Sequence, residues 1–145
     1  MMKSPLVLFL CTGNYYRSRY AEELFNHLAE QKGLLWRAFS RGAAERGSPD
    51  NIGPMSRFAR EALDAKGIFP KNGRDPQPCC LCDLERAQLV IALNDAEHRP
   101  MIERRFPDIA VKVAYWQVED IEFAPPSVAL SIVDDQVGDL ISSLK

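Results

Sequence analysis

The chain has 145 residues, enough for one ordinary domain and too few for two. Hydrophobic residues make up 46% and charged residues 26%, close to globular averages, which excludes a disordered or fibrous class. A net charge of -2 gives no footprint for nucleic acid or an anionic membrane, and no apolar run is long enough to cross a bilayer.

Elements alternate along the chain. Leu6 to Leu10 is a continuous apolar run, the pattern of a strand buried on both faces. From Ser18 to about Lys32, Ala21, Leu24, Phe25, Leu28 and Ala29 recur at helical spacing, and Gly33 supplies a stop. Leu35 to Phe39 reads as a second strand. Pro54 opens a helix with Phe58, Ala59, Ala62 and Leu63 on one side, ended by Gly67. The stretch from Phe69 to Pro78 reads as loop. Leu89 to Leu93 is a third strand, followed by a helix through Met101 and Ile102 to Arg105. Val111 to Trp116 is a fourth strand, and a long helix after Pro125 and Pro126 carries Ala129, Val133, Val137 and Ile141. This order implies a single α/β domain over residues 1–145, with a four-stranded parallel sheet flanked by helices on both faces. In such sheets ligands bind outside the carboxyl ends of the strands, where Cys11 falls.

The run from Pro5 to Cys11 is followed by no small-residue cleavage pattern, so a cytoplasmic location is expected. Four cysteines, three of them at Cys79, Cys80 and Cys82, do not form a secreted disulfide framework.

Chemistry concentrates in the segment Cys11-Thr12-Gly13-Asn14-Tyr15-Tyr16-Arg17-Ser18, which joins the first strand to the first helix. Backbone N–H groups of a tight loop entering a helix form a concave anion site. Gly13 and Asn14 are residue types that tolerate left-handed conformations. Arg17 offers a planar fork of donors for two phosphate oxygens. The same field favours an ionised nucleophile at Cys11. The loop is therefore expected to be a phosphate site, with Thr12, Gly13, Asn14, Tyr15, Tyr16 and Ser18 around the bound group.

This loop resembles that of the low-molecular-weight protein-tyrosine phosphatases, whose pattern is an apolar strand followed by C-x-G-N-x-C-R-S-P. The likeness extends over almost the whole chain: Ser40-Arg41-Gly42 is similar to the family's Ser-Ala-Gly turn, and Leu89 to Leu93 falls where its third strand falls. The resemblance implies a phosphatase with no metal or organic cofactor, acting on a phosphotyrosine protein or a small aryl phosphate. Cys11 would attack phosphorus and Arg17 would hold its oxygens, while Asn14, Ser18 and Ser40 would support the loop. The family's supporting histidine corresponds to Asn72. Two departures lie inside the loop. Tyr16 replaces the family's second cysteine, and Arg19 replaces its proline, adding positive charge near the pocket.

Expelling an alkoxide or phenoxide needs a proton donor. The family carries it as an Asp-Pro pair after its fourth strand; this chain reads Trp116-Gln117-Val118-Glu119-Asp120-Ile121 there. Comparison with relatives that read His-Trp, three residues, then Asp-Pro selects Asp120, with Glu119 as runner-up. The literal Asp75-Pro76 precedes the third strand and reads as a turn. The family's aromatic pocket wall is absent from Ala44-Glu45-Arg46-Gly47-Ser48, leaving Tyr15, Tyr16 and Phe123 as candidates.

The cluster Cys79-Cys80-Leu81-Cys82 invites a metal reading, but a fourth ligand is lacking, since His27 lies on the polar side of its helix and His98 follows a different strand. Packed thiols near the core are the expectation, and His98 reads as a surface hydrogen-bonding residue. Trp36 and Trp116 read as core or rim packing. Two rivals remain. Arsenate reductase shares the fold and loop but needs a cysteine at the end of the third strand, where Leu93-Asn94-Asp95 stands. A non-catalytic phosphate or phosphopeptide binder would need no acid.

Overall fold

The computed structural model describes residues 4–145. The first strand, β1 (Leu6–Cys11), is apolar on both sides, and Val7 to Leu10 are at most 1% exposed. Such a strand must be covered on two faces. Val7, Phe9 and Cys11 face one core, filled by Tyr20, Phe25 and Ala29 of α1 (Arg17–Gln31) and by Val133, Val137 and Ile141 of α5 (Pro126–Ser143). Ala59 and Leu63 of α2 (Arg57–Ala65) close that layer. Leu8 and Leu10 face the second core, with Leu84 of α3 (Leu81–Arg86) and Ile102 of α4 (Asp95–Arg105). Each large side chain buried this way contributes about 1.5–3 kcal/mol.

The remaining strands are β2 (Arg37–Gly42), β3 (Leu89–Ala92) and β4 (Ala114–Tyr115). All pair in parallel in the order β2-β1-β3-β4. The chain leaves β1 for β2 on one side and later takes up β3 on the other. The crevice beyond the carboxyl ends of β1 and β3 is thus the topological switch point. Cys11 opens into it.

Several boundaries differ from the sequence reading. Strand β2 starts at Arg37, whose N–H bonds Pro5 O, while Leu35 is 63% exposed. Ser40, Arg41 and Gly42 are consequently the end of β2 and not a turn after it. Pro54 stays in the loop before α2, because Ser56 is the N-cap and accepts the Phe58 N–H at 3.1 Å. The expected fourth strand shrinks to two residues. Ala110–Lys112 form a 3₁₀ turn and Val111 is solvent-exposed, although pairing resumes irregularly through Trp116 N–H to Ala92 O and Val118 N–H to Leu93 O. Helix α3 is missing from the sequence reading because six residues are too few to display a period; Asp83 secures it by accepting the Cys80 N–H at 3.1 Å.

Helix α3 also corrects the expectation for the cysteines. Within the 79–82 cluster only Cys79 is a buried thiol; Cys80 and Cys82 are exposed and joined by a disulfide. Trp116 packs at the rim of the first core, its ring 5.6 Å from Phe9. No helix among the described residues is long and apolar enough to cross a membrane.

Candidate active site

Four segments meet at the switch point: the loop from β1 to α1, the segment from β2 into α2, the turn from β3 into α4, and the loop from β4 to α5. The first is built around two backbone demands. Asn14 is left-handed (φ 54°), as residues of its type tolerate, whereas Gly13 is not. Gly42, opposite Cys11 in the sheet, has no room for a side chain, since a Cβ there would lie 2.9 Å from Thr12 O. Helix α1 then starts without a capping side chain at Tyr16, and of its first N–H groups that of Ser18 is turned to Cys11 Sγ.

Cys11 is nearly buried, with Ser18 Oγ 2.9 Å and the Ser18 N–H 3.4 Å from its Sγ. Asn14 Nδ2 donates to Ser18 Oγ (3.0 Å) and Ser40 Oγ (2.8 Å), the support expected of these three residues. Asn72 touches none of the three directly; its amide donates to Glu22 Oε2 at 3.0 Å, and Ser40 Oγ donates to the other oxygen of that carboxylate, so Asn72 joins the network through Glu22. The place beside Asn14 belongs to Arg74, whose Nη1 reaches Asn14 Oδ1 at 3.0 Å and whose Nη2 reaches Ser40 O at 2.6 Å. No sequence period marks a lone arginine in an irregular loop, and that is why it escaped notice. Arg19 is also corrected. It is fully buried against Glu22 and Glu23 (2.9 and 3.1 Å), so it adds no charge to the pocket.

Arg17 is 1% exposed, and most of its donors are already engaged. Nη1 donates to Glu97 Oε1 (3.0 Å) and Val118 O (2.9 Å), and Nη2 donates to Glu97 Oε2 (2.7 Å). Asp120 Oδ2 lies 3.5 Å from Nη2. Nε has no partner. Glu97 sits in the first turn of α4, where Asn94 Oδ1 accepts its N–H at 3.0 Å. The Thr12 hydroxyl donates to the same carboxylate. Burial opposes ionisation of Glu97, but hydrogen bonds from His98, Arg17 and Thr12 outweigh it and hold the carboxyl well below the usual range. Sequence reasoning missed Glu97 because a carboxylate in a first helical turn normally serves the helix dipole.

His98 is corrected from surface to core, with no exposed area. Its Nδ1 accepts the Asn94 N–H at 3.0 Å. The proton therefore sits on Nε2, 3.0 Å from Thr12 Oγ1 and 3.1 Å from Glu97 Oε2. Burial pushes its pKa down, against the opposing pull of Glu97.

Above Cys11 opens a cavity of about 340 Å³, lined by Tyr15, Tyr16, Arg17, Phe58, Asp120, Ile121 and Glu122 among others. Phe58 is a partial surprise: its helical spacing marked it for the core, which it meets with one side while the other forms a pocket wall. Tyr15 is pinned by its hydroxyl, which donates to Ile52 O at 2.6 Å. Tyr16 is buried and its hydroxyl has no partner among the described residues; burial and the nearby Asp120 push its pKa up to about 12. Phe123 and Glu119 line a neighbouring groove and Asp75-Pro76 a separate hollow, so of the loop acids the structure brings Asp120, with Glu122 beside it, to Cys11.

Residues 6–121 match the sequence pattern of the low molecular weight phosphotyrosine protein phosphatases. The chain belongs to that family. A protein-arginine-phosphatase of Bacillus subtilis (strain 168) is 36% identical over 100 residues, which are 69% of this chain; the chain spans 62% of that curated relative's length. The low molecular weight protein tyrosine phosphatase of T. tengcongensis superposes with a TM-score of 0.75 at 30% identity, over 96% of both chains. A mutant of the arginine phosphatase YwlE with a phosphorylated active-site serine superposes with a TM-score of 0.73 at 28% identity, over 94% of this chain and 90% of its own. The chain therefore has relatives named for two different phosphorylated side chains. The requirement of an arsenate reductase is unmet in space as well: Leu93 and Asn94 follow β3, and Cys79 lies in the core on the opposite sheet face from Cys11.

Proposed function

We propose that this phosphatase hydrolyses a phosphorylated protein side chain, most simply phosphotyrosine, through a phosphocysteine intermediate on Cys11. The observation that carries the reading is the convergence of the Cys11 thiol, the unpartnered Nε of Arg17 and the Asp120 carboxyl on one cavity. In the first step the Cys11 thiolate attacks phosphorus and the bond to the leaving oxygen breaks. Asp120 gives that oxygen its proton. In the second step Asp120, now a carboxylate, takes a proton from water. The resulting hydroxide attacks phosphorus, the P–S bond breaks, and inorganic phosphate leaves a restored thiolate. Ser18 hydrogen-bonds that thiolate when it departs, while the first-turn amides and Arg17 hold charge on the phosphoryl oxygens. No step calls for a metal or an organic cofactor.

The walls supplied by Tyr15 and Phe58 suit the flat ring of a phosphotyrosine. A second reading, phosphoarginine, is favoured by Asp120 and Glu122 together, because two carboxylates at one mouth suit a guanidinium leaving group. Release of inorganic phosphate from matched phosphotyrosine and phosphoarginine peptides, with p-nitrophenyl phosphate as a common reference, tests both. Loss of phosphate from none of the three would refute the phosphatase reading. Turnover confined to phosphoarginine would replace the first substrate by the second.

A further inference from the structure

Arg17 enters the site with its donors divided. A guanidinium carries five N–H groups in one plane. Both protons of Nη1 are spent, on Glu97 Oε1 and Val118 O, and one of Nη2 is spent on Glu97 Oε2. The Nε–H and the second Nη2–H remain, and these lie along one edge of the plane. The first is buried without a partner, while the second faces Asp120 at 3.5 Å, beyond a normal hydrogen bond. Buried donors are almost always paired, so an unpaired one on the phosphate-site arginine calls for a ligand.

Glu97 has more ties than an ordinary ion-pair partner. Its carboxylate also accepts the hydroxyl of Thr12, the residue directly after the nucleophile, and meets Nε2 of the buried His98. The backbone of Glu97 is fixed in turn by the Asn94 cap. One carboxylate thereby ties the arginine to the nucleophile's own loop and to the start of α4.

We propose that Glu97 is a positioning residue for the phosphoryl-transfer reaction, clamping the far end of the Arg17 guanidinium so that its Nε/Nη2 edge is presented to the phosphoryl oxygens. The proposal rests on the reading of Arg17 as the phosphate-binding arginine. Without the clamp the fork is free to rotate toward Asp120, and substrate must align it at its own expense. A displacement of about 1 Å in a positioning group costs on the order of 100-fold in rate.

The test is Glu97→Gln, which keeps the size, the helix and one acceptor oxygen but removes the charge and one acceptor. Two quantities are read: kcat and KM with p-nitrophenyl phosphate, and the dissociation constant of inorganic phosphate by calorimetry. The expected result is a loss of about 10- to 100-fold in both kcat/KM and phosphate affinity, with Tm within a few degrees of the parent. In the Glu97→Gln background, Arg17→Lys should then cost far less than it does in the parent, because the alignment it destroys is already gone. Phosphate affinity and kcat/KM within about twofold of the parent would overturn the proposal. Additive effects with Arg17→Lys, or a Glu97→Gln chain that fails to fold, would overturn it too, making Glu97 an independent or a scaffold residue. If the parent binds phosphate but turns nothing over, the phosphatase reading fails alone, and phosphate affinity still decides the role of Glu97.

Discussion

The Asp120 carboxylate stands 3.5 Å from Arg17 Nη2, on the edge of the guanidinium that Glu97 leaves open. If Arg17 takes the phosphoryl group at that edge, as proposed, Asp120 is left on the leaving-group side. Asp120→Asn should therefore slow turnover of poor leaving groups by about 10²–10⁴-fold and affect an activated phenol much less. The same substitution should tighten inorganic phosphate binding, because a competing negative charge disappears. Glu119→Gln, in the neighbouring groove, should leave the leaving-group dependence unchanged. An equal loss across leaving groups for Asp120→Asn counts against its role as the acid.

Cys11→Ser tests the nucleophile. Turnover should fall below about a thousandth of the parent, since loss of a covalent nucleophile removes the first step. Phosphate affinity should change little, because Arg17 and the first turn of α1 are untouched. Residual turnover above that level would mean that another group attacks phosphorus. Arg17→Lys should be severely impaired in both measurements, as an ammonium cannot reproduce the planar fork.

What the sequence revealed and what it hid separate along physical lines. The β1 run and the helical spacing of Ala21, Leu24 and Phe25 made the layered sheet legible, because burial imposes a period. The Cys11-to-Ser18 loop was legible as a tight strand-to-helix turn because its backbone restricts residue types, as the left-handed Asn14 shows. Glu97, His98 and Arg74 were not legible. Each reaches its partner across more than 50 residues through tertiary packing, for which no local pattern exists. Strand β4 and helix α3 were misjudged because two-residue and six-residue elements are held by neighbours and caps, not by propensity.

His98 gives a stability prediction with a definite sign. Burial lowers its pKa below the ordinary 6.5, and Glu97, Arg17 and Asp120 are the charged groups around it. Above about pH 6.5 it is neutral in the folded and unfolded chains alike. As pH falls below 6.5 the unfolded chain takes up the proton first, so stability drops, by up to about 1.4 kcal/mol per pH unit for one such group. Glu97, also depressed, adds a further loss in the same direction at lower pH. His98→Gln should melt lower than the parent at pH 7 yet show a flatter decline in Tm between pH 6.5 and 5. Parallel declines in the two proteins would show that His98 is not the group responsible.

The last prediction concerns oxidation. Cys11 has no thiol within reach. Tyr16 occupies the loop position where relatives carry a second cysteine, Cys79 lies in the core on the other face of the sheet, and Cys80 and Cys82 are bonded to each other. Burial also pushes the Cys79 pKa up to about 12, so it stays a thiol at any pH of interest and reacts poorly. Peroxide converts Cys11 first to a sulfenic acid, releasing water. With nothing to capture that species as a disulfide, a second equivalent takes it on to the sulfinic acid. Graded peroxide followed by dithiothreitol should thus restore activity only after brief exposure. After prolonged exposure the protein should gain the mass of two oxygens, roughly 32 Da, and remain inactive. Bound inorganic phosphate should slow the loss by covering Cys11. Full recovery after long exposure, with a mass lower by about two hydrogens, would overturn this. It would mean that Cys11 reaches another cysteine, and serine replacements at Cys79, Cys80 and Cys82 would show which one.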